Sequence, residues 1–259
     1  MKIVAIIPAR MGSSRFPGKP MAQINGIPMI GHCYCRTNMC EELLTTYVAT
    51  CDSEIYDYIK SINGNVVMTS ASHERACDRA AEAMTKIEQE IKTKIDVVVM
   101  VQGDEPMLTP NMITESLKPL KDEPNVNIVN LMSEIHTIEE FEDPNEVKVV
   151  IDNFSNAIYF SREPIPSQKK FSGSFPMLKQ VCIIPFRKEY LINFNSMSET
   201  NLEKIESVDM MRIIENGEKI RMVMTEVNSL SVDTKYDLER VRIEMLNDPL
   251  IAQYSYAKL

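Results

Sequence analysis

The first twenty residues constrain this chain most. Ile3-Val4-Ala5-Ile6-Ile7 is a nearly continuous apolar run rich in β-branched residues. Such a run suits a strand buried on both faces of a parallel sheet. Pro8 closes it, and a loop follows that carries Arg10, Arg15 and Lys19 among Gly12, Ser13, Ser14 and Gly18. Small residues let backbone N–H groups approach a phosphate, and the cations supply opposite charge. A strand running into this loop is suited to hold a triphosphate; an ordinary basic surface loop is the alternative. No Gly-Lys-Ser/Thr ends the loop, which excludes a Walker A loop, and the spaced glycines of a dinucleotide fingerprint are missing.

A chain of 259 residues accommodates one large α/β domain, or one domain with a sizeable insertion. No apolar run reaches the roughly 20 residues that span a bilayer. Strand pattern begins at Lys2, with no charged leader or cleavage site, so a cytoplasmic protein away from membranes is expected. The net charge of −9 argues against a broad nucleic-acid surface. An anionic substrate must then be met by local cations, assisted by metal. Cys33, Cys35, Cys40, Cys51, Cys77 and Cys182 form no Cys-x-x-Cys pair, which points to free, mostly buried thiols and not to zinc.

Strands are expected at Tyr47–Thr50, Asn65–Thr69 and Asp96–Val101, alternating with helices over 28–43, 53–62 and 74–92. That alternation indicates a doubly wound, mostly parallel sheet. The later part changes character. Strands are expected over 126–132, 147–151, 157–160, 179–186 and 220–224, a helix over 207–215, and a last helix after Asp233-Thr234. Residues 168–175 read as an aperiodic polar loop. The whole chain, 1–259, reads as a single domain with an insertion over about 126–225.

Three residues stand where chemistry is expected. Asp104 follows the strand that ends at Val101, and open α/β sheets bind ligands outside such strand ends. A carboxylate there is placed to hold Mg²⁺ on a triphosphate; a simple turn is the alternative. Asp233 reads as a helix N-cap or a second metal carboxylate. Arg162, between a strand and two prolines, has a guanidinium suited to bidentate capture of a carboxylate.

The order of residues adds a resemblance. Pro8-Ala9-Arg10, Ser13, Arg15 and Pro17-Gly18-Lys19-Pro20 resemble the opening of the sugar-activating nucleotidyltransferases. With Val101-Gln102-Gly103-Asp104-Glu105-Pro106, Tyr159-Phe160-Ser161-Arg162 and Ser231-Val232-Asp233-Thr234, the chain is most similar to the 3-deoxy-manno-octulosonate cytidylyltransferase (CMP-Kdo synthetase) family. The match runs from Pro8 to Arg242. It implies a Rossmann-like α/β fold of the nucleotide-diphospho-sugar transferase type, with an insertion that binds substrate and pairs homodimers. It further implies transfer of CMP from CTP to a small acidic acceptor, a 3-deoxy-ulosonic acid such as Kdo or a variant, with loss of pyrophosphate. By this resemblance Ala9, Arg10, Gly12, Ser13, Ser14, Arg15, Lys19, His73 and Arg79 bind nucleotide, and Arg10, Lys19 and Asp104 are catalytic. Asp104 and Asp233 hold Mg²⁺, while Gln102, Arg162, Gln180, Glu206 and Asp209 bind the acceptor.

The chain departs from the family's pattern in three places. Ser70 stands where the family has the arginine that helps read cytosine, which leaves another NTP as an alternative. Gln180 and Ile184 replace a sugar-contacting His and Tyr, and Met210 replaces a Gln. A pocket losing those polar partners is expected to favour a modified ulosonic acid or another small acid, for example a phosphonate. A non-catalytic nucleotide-binding regulator is the remaining alternative, and the presence of two metal carboxylates argues against it. The homodimer is expected to form through strands between Ala157 and Phe186, with Ile183, Ile184 and Phe186 exposed on a monomer.

Overall fold

The computed structural model describes residues 1–12, 15–171, 173, 175–227 and 229–255. Ser13 and Ser14, expected at the nucleotide, lie outside the described residues, as does part of the expected polar loop. The chain divides into two compact units, Met1–Thr114 with Ser229–Leu259, and Glu115–Asn228.

The first unit opens with β1 (Ile3–Ala9), whose Ile3 to Ile7 are at most 3% exposed. A loop and a single 3₁₀ turn at Lys19–Met21 lead to a hairpin of β2 (Gln23–Ile24) and β3 (Ile27–Pro28). Then follow α1 (Met29–Asn38), β4 (Thr45–Thr50), α2 (Ser53–Ser61), β5 (Val66–Met68), α3 (Ala76–Ile91) and β6 (Val97–Val101); α4 (Pro110–Asp122) begins in this unit and continues into the second. Helix α2 stops where Asn63 turns to a φ of 58°, which asparagine tolerates better than most residues.

In this unit the strands lie in the order β6-β1-β4-β5, all parallel. The chain steps from β1 to β4 to β5, then returns through α3 to place β6 on the other flank of β1. Right-handed crossovers put helices on both faces when the direction reverses in this way. The reversal opens a crevice at the carboxyl ends of β1 and β6, the usual ligand position in open α/β sheets. The cationic loop leaves β1 at that end, and Gln102-Gly103-Asp104 leave β6 there. Gly103 permits the close approach: a Cβ on it would lie 3.2 Å from the Pro8 carbonyl oxygen.

The second unit is built on a different sheet. It contains β7 (Val129–Glu134), α5 (Ile138–Glu142), β8 (Lys148–Ile151), β9 (Ala157–Ser161), β10 (Leu178–Val181), β11 (Ile183–Arg187), α6 (Lys188–Ser196), α7 (Asn201–Glu206), α8 (Met211–Glu215) and β12 (Arg221–Met224). Five strands join in the order β12-β7-β10-β8-β9; β12 runs parallel to β7 and the remaining pairs are antiparallel. Two expectations are corrected here. The strand expected over 179–186 is interrupted at Cys182 and becomes β10 and β11. The helix expected over 207–215 begins only at Met211, because Ser207 takes a left-handed conformation (φ 53°) and ends α7. The chain re-enters the first unit to form α9 (Lys235–Glu244), a 3₁₀ turn at Met245–Asn247 and α10 (Ile251–Ser255).

Ile183, Ile184 and Phe186, expected to be exposed on a monomer, are 0%, 2% and 0% exposed and belong to the chain's own core. The exposed apolar side chains of this unit include Phe154, in the turn before β9, and Ile158 on β9; between them the backbone of residues 155–157 bonds to Ile220 and Met222 at the start of β12.

Candidate active site

The crevice gathers residues that are far apart in sequence. Gly18, at a φ of 74°, starts the 3₁₀ turn that presents Lys19. The Lys19 ammonium donates to Asp104 Oδ2 at 2.8 Å and to the Val232 carbonyl at 2.7 Å, and lies 3.5 Å from Asp233 Oδ1. Arg15 pairs with the same Asp233 oxygen at 2.8 Å. The backbone closes the arrangement: the Val232 N–H donates to the Asp104 carbonyl at 3.0 Å.

Asp233 does not cap the helix that follows it. Thr234 is the N-cap of α9, and its side chain and that of Asp237 form a reciprocal capping box. Asp233 is thereby left to face the cations. Asp52 occupies the N-cap position of α2, where its carbonyl accepts the Tyr56 N–H at 3.1 Å, but its side chain does not cap that helix and accepts the Met11 N–H at 2.8 Å instead. That bond, with Gly18 N–H to the Met11 carbonyl at 3.0 Å, holds the loop's hinge points. Arg10 and Gly12 are exposed, and a Cβ on Gly12 would meet nothing within 4 Å. Gly12 thus faces open space, as a phosphate cradle requires.

His73 and Arg79 build the neighbouring loop. Arg79 is buried and donates to Thr69 Oγ1, the Ser70 carbonyl and the His73 carbonyl. His73 contacts Glu82, which also accepts the Ser70 N–H at 3.0 Å and pairs with Lys86 at 2.7 Å. Burial opposes the Glu82 charge, but Lys86, Ser70 and His73 outweigh it and hold the carboxyl down to about 2. Ser70 bonds Ser72 through its hydroxyl.

In the second unit Arg162 and Glu206 form one cluster. Glu206 accepts from Tyr159 Oη (3.1 Å), Ser161 Oγ (3.0 Å) and the Arg162 N–H (2.9 Å). The Arg162 guanidinium donates to the carbonyls of Glu206 and Pro144, both at 2.8 Å. Lys148, wholly buried, donates to the carbonyls of Asp143, Glu146 and Arg162, fixing the backbone under Arg162. Asp209 and Gln180 are half-buried, and so is Gln102 in the first unit. Ile184 and Met210, expected to make the acceptor pocket apolar, are 2% and 1% exposed. They present almost no surface to a ligand, so of the three replaced positions only Gln180 offers a side chain to one.

A cytidylyltransferase family model matches residues 4–220. The chain is 41% identical over 251 residues to the 3-deoxy-manno-octulosonate cytidylyltransferase of Geobacter sulfurreducens, covering 93% of this chain and 98% of the relative. Its namesake from Geobacter metallireducens is 39% identical over 251 residues, covering 93% and 96%. Among solved structures, CMP:2-keto-3-deoxy-manno-octonic acid synthetase complexed with CTP superposes with a TM-score of 0.85 at 35% identity, over 98% of this chain and 99% of that one. The chain belongs to the cytidylyltransferase family.

In this cytidylyltransferase the Lys19 cluster sets its own electrostatics. Burial works against the Lys19 ammonium, yet Asp104 and Asp233 more than offset it and hold its pKa above the ordinary lysine value. Burial and the neighbouring Asp104 raise the Asp233 carboxyl, against Lys19 and Arg15. Among the described residues no three His, Cys, Asp or Glu side chains assemble a metal site by themselves. Asp104 and Asp233 nevertheless meet at one point, now held by an ammonium. Mg²⁺ is commonly bound by one or two carboxylates together with substrate phosphates, and this donor set fits it. Sequence reasoning missed Asp52 and the Val232 carbonyl. Nothing in the pattern distinguishes Asp52 from a cap, and a backbone carbonyl leaves no mark in sequence.

Proposed function

We propose that this cytidylyltransferase transfers CMP from CTP to a 3-deoxy-ulosonic acid, Kdo or a variant of it, in a Mg²⁺-dependent reaction that releases pyrophosphate. The observation that carries the proposal is the convergence of Lys19, Arg15, Asp104 and Asp233 at the crevice beside β1 and β6. The relatives' names supply the acceptor. An acceptor oxygen attacks the α-phosphorus, the bond to the bridging oxygen breaks, pyrophosphate leaves, and the acceptor hydroxyl gives up its proton to solvent. Lys19, Arg15 and Arg10 balance charge on the triphosphate as it shifts towards the leaving group. Bound at Asp104 and Asp233, Mg²⁺ would neutralise phosphate oxygens and hold the reacting groups in line. Positioning and electrostatics account for catalysis without a side chain assigned as general base.

Ala9 and Gly12 line the triphosphate in this reading, Arg79 and His73 shape the loop at the base, and Gln102, Arg162, Glu206, Asp209 and Gln180 serve the acceptor. Ser70 favours one second reading, selection of another NTP, because no arginine stands there. Among the described residues no helix is long and apolar enough to cross a membrane, which supports a cytoplasmic enzyme. Homodimerisation is proposed through the apolar surface that Phe154 and Ile158 expose beside β9.

Pyrophosphate release is the test, with each of the four NTPs against Kdo and a panel of acidic acceptors including phosphonates, with and without Mg²⁺. Release with CTP and an ulosonic acid, dependent on Mg²⁺, is expected. A stronger signal with another NTP, or with a phosphonate alone, overturns the assignment.

A further inference from the structure

Asparagine is depleted in strands, and a wholly buried one needs every polar atom bonded. Asn130 lies inside β7, in a central position of the second unit's sheet, at 0% exposure. Its Nδ2 donates to the Leu131 carbonyl and the Val181 carbonyl, both at 2.8 Å. Both acceptors are backbone oxygens and cannot donate. The Asn130 amide therefore has one permitted orientation, with Oδ1 turned away from them. That Oδ1 lies 2.6 Å from the Gln180 amide nitrogen.

The constraint passes on. Gln180 stands on β10, directly opposite Met132, so it shares a sheet face with Asn130 two residues earlier on β7. Because Asn130 offers only an acceptor, Gln180 must present Nε2 to it, and its Oε1 points the other way. No hydrogen bond among the described residues reaches that Oε1, and the side chain is only half-buried. Two buried carbonyls thus dictate, through two amides, that an acceptor oxygen faces outward from this sheet.

We infer that Asn130 is a specificity-positioning residue: it locks the Gln180 amide so that Oε1 reads a hydrogen-bond donor, a hydroxyl or an ammonium, on the acceptor sugar. This rests on the proposed function, in which the acceptor binds over the second unit. A freely rotating glutamine accepts or donates at will. A locked one rejects a substrate that brings only an acceptor, or nothing, to this point, because a polar group left unpaired on binding is costly.

The test is a double-mutant cycle in Mg²⁺-dependent pyrophosphate release, with Kdo and CTP as probes. Wild-type turnover of Kdo comes first: none with Kdo or any other ulosonic acid refutes the proposed function, and this inference falls with it. Given turnover, Gln180→Met should raise KM for Kdo about tenfold while KM for CTP changes less than about twofold. Asn130→Leu should do the same in the wild-type background and nothing further in the Gln180→Met background. Asn130→Ser provides the smaller change should the leucine variant fail to fold. Gln180→Met alone also tests Oε1 without touching the core. Among Kdo analogues lacking one hydroxyl each, wild type should discriminate at one position where Gln180→Met does not. Additive effects of the two substitutions, unchanged Kdo kinetics in Gln180→Met, or equal losses in KM for CTP and Kdo would each overturn the inference.

Discussion

Replacing Lys19 with methionine removes the one positive charge held between Asp104 and Asp233 while nearly conserving volume. The two carboxylate oxygens lie 2.8 and 3.5 Å from the same nitrogen, which bounds their separation at about 6.3 Å. Two negative charges at that distance repel by roughly 2–3 kcal/mol at an effective dielectric constant of about 20. The Val232 carbonyl loses its donor as well. Breaking a buried pair from one side typically costs about 3–5 kcal/mol. Side-chain exposures of 22% for Asp104 and 17% for Asp233 place this case at the low end, near ~3 kcal/mol. For a chain of this size that corresponds to a fall in Tm of about 6–12 °C.

The pH dependence of the Lys19→Met defect has a definite sign. Lys19 is held above its ordinary 10.5, so its contribution is present throughout the neutral range and lost only as pH rises through that higher value. The Asp233 carboxyl is raised above 3.8 by burial and by Asp104. A carboxyl raised by folding gives up stability as pH climbs from its unfolded value through its folded one. Without Lys19, the largest influence lowering it, that window extends upward. The deficit of Lys19→Met should therefore grow from acid towards neutral pH and shrink below pH of about 4. Mg²⁺ should restore more Tm to the variant than to the wild type, since it binds the folded carboxylate pair. Thermal melts from pH 4 to 8, with and without Mg²⁺, provide the assay. A flat pH dependence of the difference, or equal Mg²⁺ increments, would refute the view of Lys19 as the cation between the two carboxylates.

Asp104→Asn and Asp233→Asn should each reduce pyrophosphate release by at least about a thousandfold. Asp233→Asn should leave thermal stability nearly intact, whereas Thr234→Ala should cost about 1 kcal/mol and spare the rate. Glu203 holds Arg212 through bonds of 2.6 and 2.8 Å with both side chains buried. Glu203→Gln or Arg212→Met should cost about 3–5 kcal/mol in urea denaturation. Glu82→Gln should loosen residues 70–73 and raise KM for the nucleotide. Glu82 is depressed to about 2, so its stabilisation is present above its ordinary 4.5 and lost as pH falls towards 2. Its 26% exposure limits the effect to about 1 kcal/mol.

The parallel sheet was legible because its strands are short, continuous apolar runs punctuated by turn residues, and the same segments lead into the cationic loop and Asp104. The second unit was harder to read. Helix α7 is only six residues long and depends on Glu203, whose buried carboxylate accepts the Thr200 N–H and pairs with Arg212, contacts that carry no helical periodicity. The break at Cys182 was hidden because the residues on both sides are equally apolar. Ile184 and Met210 illustrate a different limit. Both changes were visible in sequence, but exposure decides whether a residue meets a ligand, and exposure is a property of packing.

Adjacent residues can divide a structural and a chemical task in ways that composition does not reveal. Asp233 and Thr234 are both strong N-cap types, and a cap needs only one of them. Thr234 takes that role because Asp237 stands three residues on and returns the bond to its backbone. Had Asp233 capped α9, the Lys19 ammonium would face one carboxylate instead of two. Asp52 shows the converse. No second cap residue relieves it, yet it leaves α2 uncapped to hold the Met11 N–H. Helix stability is given up there to fix the loop that carries Arg10, Arg15 and Lys19.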